Sequence, residues 1–197
     1  MDSNLIIQPF DIKNIPLILD VVVPLWSPSV GTDEFKRFNV EYIVRRNFFE
    51  NQYNFELVDS DGNFLSSAFF ARKNDFSNAQ EWFAKNSVRF PDDYKVASKK
   101  SNDFCEMMDV RTLSFMNDDD IKLSLFISRK HGAGIILLDE LIARLGAQGW
   151  KNLYLWTDCE CNWLWYKKHG FTLVEESVYE PFSTEEEYKT FIFKRKI

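Results

Sequence analysis

Residues 120–171, DIKLSLFISRKHGAGIILLDELIARLGAQGWKNLYLWTDCECNWLWYKKHGF, decide how this chain reads. Ile121–Ser128 alternates with the period of a strand, Ile121, Leu123, Leu125 and Ile127 on one side and Lys122, Ser124 and Phe126 on the other. Arg129-Lys130-His131-Gly132-Ala133-Gly134 follows as a turn with two glycines. Ile135–Leu145 carries Leu138, Leu141, Ile142 and Leu145 as a helical stripe and ends at Gly146 and Gly149. Within a second strand, Asn152–Thr157, the run Leu153-Tyr154-Leu155-Trp156 is continuously apolar, as suits a central parallel strand covered on both faces. The helix between the two strands is then a crossover. A short aromatic helix, Cys161–His169, closes the stretch at Gly170-Phe171. A glycine turn between a strand and a helix N-terminus cradles anions, because its N–H groups are unpaired and the helix dipole adds partial positive charge.

Outward from this stretch, Leu5-Ile6-Ile7 reads as a short strand closed by Pro9. Asp11 caps a helix over Ile12–Trp26, which Pro24 and Pro28 end, and Gly31-Thr32-Asp33 starts a second helix carrying Phe35, Phe38, Tyr42 and Phe49. Asn54–Val58 and Phe64–Ala71 are strands joined by Asp59-Ser60-Asp61-Gly62-Asn63, a loop with hairpin chemistry. Residues 74–119 read as a helical insertion packed on the sheet, or a lid, with helices over Ala79–Val88 and Tyr94–Met116 broken at Pro91. Thr172–Val178 and Glu187–Arg195 are the last strands, and Lys194-Arg195-Lys196 reads as a charged chain end. The sum is an α/β (α+β) chain with a sheet of mixed direction. Residues 1–197 make one domain, since no Pro/Gly/Ser linker and no repeat divides them.

The totals bound the function. At 197 residues and 45% hydrophobic, the chain can bury a sizeable core. Its 19 Phe, 6 Trp and 7 Tyr belong first in that core, with a pocket for an apolar ligand arm as their alternative use. A net charge of −6 argues against nucleic acid as a partner. Three cysteines without framework spacing suit a reducing, cytoplasmic setting. Met1-Asp2-Ser3-Asn4 is no secretory signal, and no apolar run is long enough for a membrane span.

The turn is neither a P-loop, which needs Gly-Lys-Ser/Thr, nor a dinucleotide fingerprint, because Leu137 stands where the third glycine belongs. His131 and His169 stand in different elements, and Cys159-x-Cys161 lacks a second pair, so no metal site is expected. Arg129-x-x-Gly132-x-Gly134, after a strand and opening a helix, resembles the acyl-CoA signature of the GNAT-family N-acetyltransferases. The segment Asn162-Trp163-Leu164-Trp165-Tyr166-Lys167-Lys168-His169-Gly170-Phe171 resembles that family's second motif, a helix carrying Tyr and closing with Gly-Phe. The specific resemblance covers 120–174.

The resemblance implies a mainly antiparallel sheet whose central parallel strands splay apart, with the pantetheine arm of acetyl-CoA in the gap along the backbone of Phe126, Ile127 and Ser128. It implies that the pyrophosphate rests on the amides of Lys130, His131, Gly132, Ala133, Gly134 and Ile135, with Arg129, Lys130 and His131 adding charge. It also implies Tyr166 as general acid at the thioester sulfur. A carboxylate at the start of the first parallel strand, Asp119 or Asp120, would be the base, with Glu106 and Asp109 just upstream; the bland reading of Asp118-Asp119-Asp120 is a solvated acidic loop. Two positions depart from the pattern. Ile136 stands where a small residue is usual and Cys159 where Asn is frequent, so Asn162 inherits the polar contact to the cofactor. The implied activity is acetyl transfer to a primary amine or peptide, by a monomer or homodimer. The alternative from another class is a non-catalytic acyl-CoA-binding or protein-interaction domain on the same fold.

Overall fold

The computed structural model describes residues 5–197, and the Met1–Asn4 stretch read for a targeting signal lies outside them. Seven strands form one sheet: β1 (Ile6–Pro9), β2 (Asn54–Val58), β3 (Phe64–Ala71), β4 (Asp120–Ser128), β5 (Asn152–Asp158), β6 (Thr172–Val178) and β7 (Lys189–Lys196). Their order is β1-β2-β3-β4-β5-β7-β6, and every neighbouring pair is antiparallel except β4–β5. The hairpin between β2 and β3 turns at Gly62 with φ +79°, while Asp59 Oδ1 accepts the amides of Asp61 and Asn63.

Helices cover both faces. The crossover helix α5 (Ala133–Ala147) buries Leu137, Leu138, Leu141, Ile142 and Leu145 against β2, β3, β4 and β5, joined there by α6 (Trp163–Lys168). On the other face α1 (Ile15–Trp26) and α2 (Asp33–Arg46) pack over Phe64, Phe69, Leu125 and Ile127. The insertion consists of α3 (Ala79–Asn86) and the long α4 (Asp92–Ser114), and α4 covers Tyr154 and Ile192 of β5 and β7 on the same face as α2. Phe35, Phe38 and Phe90 bind α2 to the insertion, with Trp82, Phe83 and Tyr94 packed around them. The aromatic excess is spent here as core, each fully buried ring stabilising by roughly 2–3 kcal/mol.

Four local readings change. Asp11 caps only a single 3-10 turn, Ile12–Asn14, before α1 begins. Pro24 sits inside α1 rather than ending it; so near the C-terminus its missing N–H costs one bond, and the helix runs on to Trp26. Lys194-Arg195-Lys196 belongs to β7, where Lys194 lies over the Tyr154 ring and Arg195 reaches Asp139.

The fourth change bears on function. Strict alternation would put Ile121, Leu123, Leu125 and Ile127 on one face. Instead Ile121 and Leu123 pack with α5, whereas Leu125 and Ile127 pack with α1 and α2. The register explains it: Phe70 pairs with Leu123 and Phe69 with Leu125, leaving Ser124 as an extra, bulged residue. The Ser124 hydroxyl lies 2.9 Å from the Asn47 carbonyl oxygen and 3.0 Å from that of Phe69. The bulged residue thus stays hydrogen-bonded at the end of α2.

Candidate active site

The parallel pairing of β4 and β5 is short: Asp120 with Asn152, Ile121 with Leu153, Lys122 with Tyr154, and no further. Beyond that point β4 continues to Ser128 bound only to β3, and β5 continues to Asp158 bound only to β7. The strands therefore fork just before the Ser124 bulge, leaving one edge of each without a strand partner. An unpaired edge of this kind can hydrogen-bond an extended ligand as a further strand would.

The glycine turn stands at the mouth of the fork. Arg129 N donates to Leu65 O at 2.9 Å, and Ser128 Oγ donates to Lys130 O at 2.8 Å, which fixes the chain as it leaves β4. Gly132 then adopts φ +83° and serves as N-cap of α5 without any side-chain cap. The amides of Gly134 and Ile135, in the first helical turn, have no intrahelical acceptor and are left for an anion. Arg129, Lys130, His131 and Gly132 are exposed, and a Cβ at Gly132 would meet nothing within 4 Å. Gly134 is glycine for a different reason. A Cβ there would lie 2.9 Å from Phe126 Cζ and 3.2 Å from Ser128 Cβ. Ala133 and Gly134 are buried, Ile135 half-buried.

Of the three strand residues expected along the ligand arm, half-buried Phe126 faces α5, buried Ile127 faces α1, and Ser128 is exposed at the strand end. The Phe126 ring reaches Trp165 of α6 at 5.6 Å between centroids, and Trp165 stacks on His169 at 3.9 Å. Helix α6 ends where Gly170 takes φ +82° and Phe171 N donates to Tyr166 O at 3.1 Å. That closure points Tyr166 inward against Phe171 and Phe193, at 5.4 and 6.0 Å. Burial raises the phenol above its usual range, helped by Cys161 and Asp158, so it stays protonated at any physiological pH. Asn162 is exposed at the N-cap of α6, and its side chain makes no capping bond.

The two candidate bases fall elsewhere. Asp119 is exposed, and its carbonyl accepts Lys151 N. Asp120 is fully buried at the closed end of the fork. Its Oδ2 accepts the Asn117 amide at 2.9 Å and its Oδ1 accepts Asn152 Nδ2, which fastens β4 to β5. This carboxylate is a latch between strands.

Two carboxylates nearer the opening hold places that the sequence pattern does not mark. Asp158 ends β5, accepts the amides of Glu160 and Cys161, and faces the Cys161 thiol and the Tyr188 hydroxyl. Burial together with that carboxylate pushes the Cys161 thiol up to about 12, an inert thiol. Asp109 of α4, in the sequence merely one of two acids upstream of the strand, bridges the fork. It accepts Lys122 Nζ at 2.6 Å and Trp156 Nε1 at 2.7 Å through Oδ1, and Arg46 Nη2 at 3.0 Å through Oδ2. Burial pushes its carboxyl up, but the charges of Lys122 and Arg46 and the hydrogen bonds from Lys122 and Trp156 outweigh it and hold it below the usual range. Lys122 in the middle of an apolar strand is the signal that could have found it, since a buried lysine demands a partner. A surface groove of about 560 Å³ along Leu5, Ile7, Leu57 and α5 includes no residue of the fork.

A seven-stranded sheet of this order, forked at its parallel pair and carrying a glycine turn at the fork's mouth, is the fold of the GCN5-related N-acetyltransferases. No protein-family model matches the chain, and no curated protein matches it in sequence. Among solved structures it is similar to a GCN5-related N-acetyltransferase from Kribbella flavida, at 16% identity over 98% of each chain with a TM-score of 0.54. It is similar to the mosquito arylalkylamine N-acetyltransferase like 5b, at 11% identity over 98% of this chain and all of that one, TM-score 0.53. A TM-score of 0.62 relates it to the C-terminal condensation domain of Ebony in complex with beta-alanyl-dopamine, at 7% identity over 99% of this chain and 100% of that one.

Proposed function

We propose that the protein is an acetyl-CoA-dependent N-acetyltransferase acting on a primary amine. One observation carries the reading: the unpaired edge of β4 leads directly into a turn whose free amides open at a helix N-terminus. An extended arm ending in a diphosphate fits that arrangement, the arm along Phe126–Ser128 and the diphosphate on the turn from Lys130 to Ile135, where the Gly134 and Ile135 amides are free and the Ala133 amide is already held by Lys130 O at 3.1 Å. Arg129, Lys130 and His131 stand exposed around it to meet further phosphate charge.

Chemistry then requires little. The neutral amine attacks the thioester carbonyl, the C–S bond breaks as the amide bond forms, the amine's proton passes to water and the thiolate leaves. Holding both reactants in the fork removes most of the entropic barrier. Tyr166 remains a neutral phenol well above the pKa near 8.5 of a thiol, so it stabilises the leaving thiolate by hydrogen bonding rather than by full proton transfer.

A second reading, an acyl-CoA-binding or interaction domain without turnover, has the Phe126–Trp165 contact in its favour, because the two rings meet between β4 and α6. Calorimetric titration with acetyl-CoA, followed by a thiol-release assay over an amine panel, separates the two. Turnover that falls about 10²-fold in Tyr166→Phe with CoA affinity retained supports the transferase. Binding without turnover of any amine supports the second reading, and absence of CoA binding overturns both.

A further inference from the structure

The helices α2 and α4 run side by side in the same direction. Phe35 meets Tyr94 at 4.7 Å, Tyr42 Oη donates to Asn102 Oδ1 at 2.9 Å, and Arg46 meets Asp109 at 3.0 Å. Positions 35, 39, 42 and 46 form one helical stripe, as do 94, 98, 102 and 109. Asn39 and Ser98 therefore stand at the same level of this seam, between the aromatic contact and the ion cluster. Both are fully buried, and neither the Asn39 amide nor the Ser98 hydroxyl has a hydrogen-bond partner. Arg46 Nε is a buried donor without an acceptor. Among the described residues, four of the six buried side-chain polar atoms lacking a partner thus lie along one seam. Such groups are costly, and several in a line call for a polar occupant, water or a ligand group.

The charge at the inner end of the seam is also unbalanced. Arg46 and Lys122, whose side chains are 16% and 3% exposed, share the single carboxylate of Asp109. One positive charge is left over, in surroundings where an unpaired ion is expensive. That end touches Trp156, the first α4-facing side chain of β5 beyond the last β4–β5 pair. A group held at Arg46 therefore lies beside the place where the strands part.

We propose that the α2–α4 seam is the acceptor site of the transferase proposed above, and that the acceptor is an amine which also carries a carboxylate. The carboxylate takes the free Nε donor of Arg46 and neutralises the surplus charge, the Asn39 amide and Ser98 hydroxyl complete its polar surroundings, and the amine is left towards the fork. Nη1 of the same guanidinium already donates to Asn102 Oδ1 and Nη2 to Asp109 Oδ2, so Nε is the donor left, and a guanidinium can add it beside those bonds where a lysine point charge cannot.

The test compares amines that differ only in the carboxylate, tyrosine against tyramine and β-alanine against ethylamine. Each is titrated by calorimetry with and without CoA and then assayed for thiol release. A carboxylated member is expected to bind at least about tenfold more tightly than its partner, and Arg46→Gln to abolish that preference while CoA affinity stays unchanged. Arg46→Lys, which keeps the charge, is expected to restore only part of it. Equal or tighter binding of the decarboxylated amines, or no binding of either carboxylated one, overturns the acceptor site. Because the wild-type comparison needs no variant, it decides the matter even where the Arg46→Gln protein folds poorly. Absence of CoA binding sinks the transferase reading instead, and is measured in a separate titration.

Discussion

Replacing Asp120 separates a latch from a base. Asp120 is 0% exposed, and its carboxylate accepts the Asn117 amide and Asn152 Nδ2, with Asn117 Nδ2 as a longer third contact at 3.3 Å. Asn117 is an exposed residue, so water replaces the third contact at no cost. Asp120→Ala leaves the other two donors without an acceptor, at about 1–3 kcal/mol each, or roughly 4 kcal/mol together. For a chain of this size that lowers Tm by about 8–16 °C. Asp120→Asn keeps one carbonyl acceptor and is expected to lose about half as much. Melting curves give the stability, and thiol release measured well below both Tm values gives the rate. Loss of a general base costs about 10²- to 10⁴-fold, whereas loss of a latch at the closed end leaves the rate of the folded fraction nearly unchanged. An Asp120→Asn protein with wild-type Tm, a rate down by that factor and no acidic limb in its pH profile would refute the reasoning.

Other consequences follow from the same geometry. Gly132→Ala enters open space but must hold φ +83°, so it is expected to cost about 1 kcal/mol of stability. Calorimetry should show weakened CoA binding in the same variant, because the left-handed turn aims the amides. Asp109→Asn leaves Lys122 and Arg46 without their counter-ion and is expected to destabilise by about 3–5 kcal/mol in urea titrations near neutral pH. Because the folded pKa of Asp109 lies below its unfolded value near 3.8, its contribution is full above that value and fades as pH falls through the folded one. The acid side of the wild-type stability curve, below about pH 4, should therefore be steeper than that of Asp109→Asn. Since burial raises the Tyr166 phenol, kcat should show no falling alkaline limb from this group up to about pH 10; such a limb, absent in Tyr166→Phe, would contradict its burial.

Much of the fold is legible in the sequence because local signals agree. The β2, β3 and β6 spans can be read to the residue, the fork's two strands to within one, and the turn before α5 from two glycines placed between strand and helix. Local reading fails where tertiary context decides. Alternation over Ile121–Ile127 cannot reveal a bulge, because Ser124 is an ordinary strand residue whose extra place comes from the register with β3. Three consecutive aspartates at 118–120 look alike in sequence, yet one is sealed inside and two are exposed. Asp109 and Asp158 gain their places from α4 crossing the sheet and from Tyr188, which lies just ahead of β7, separations no local pattern encodes.

The bulge at Ser124 makes the cleft a toggle only one codon wide. Excising Ser124 would leave Leu123 towards α5 and Leu125 towards α1, so every apolar side chain would keep its present neighbours. What would vanish is the extra residue just beyond the point where β4 and β5 part, and the two strands are then expected to pair along more of their length. A three-nucleotide deletion is thus expected to yield a well-folded protein with a seamless sheet and no fork, a control for the proposed transferase in which nothing at the turn or on α6 has been touched.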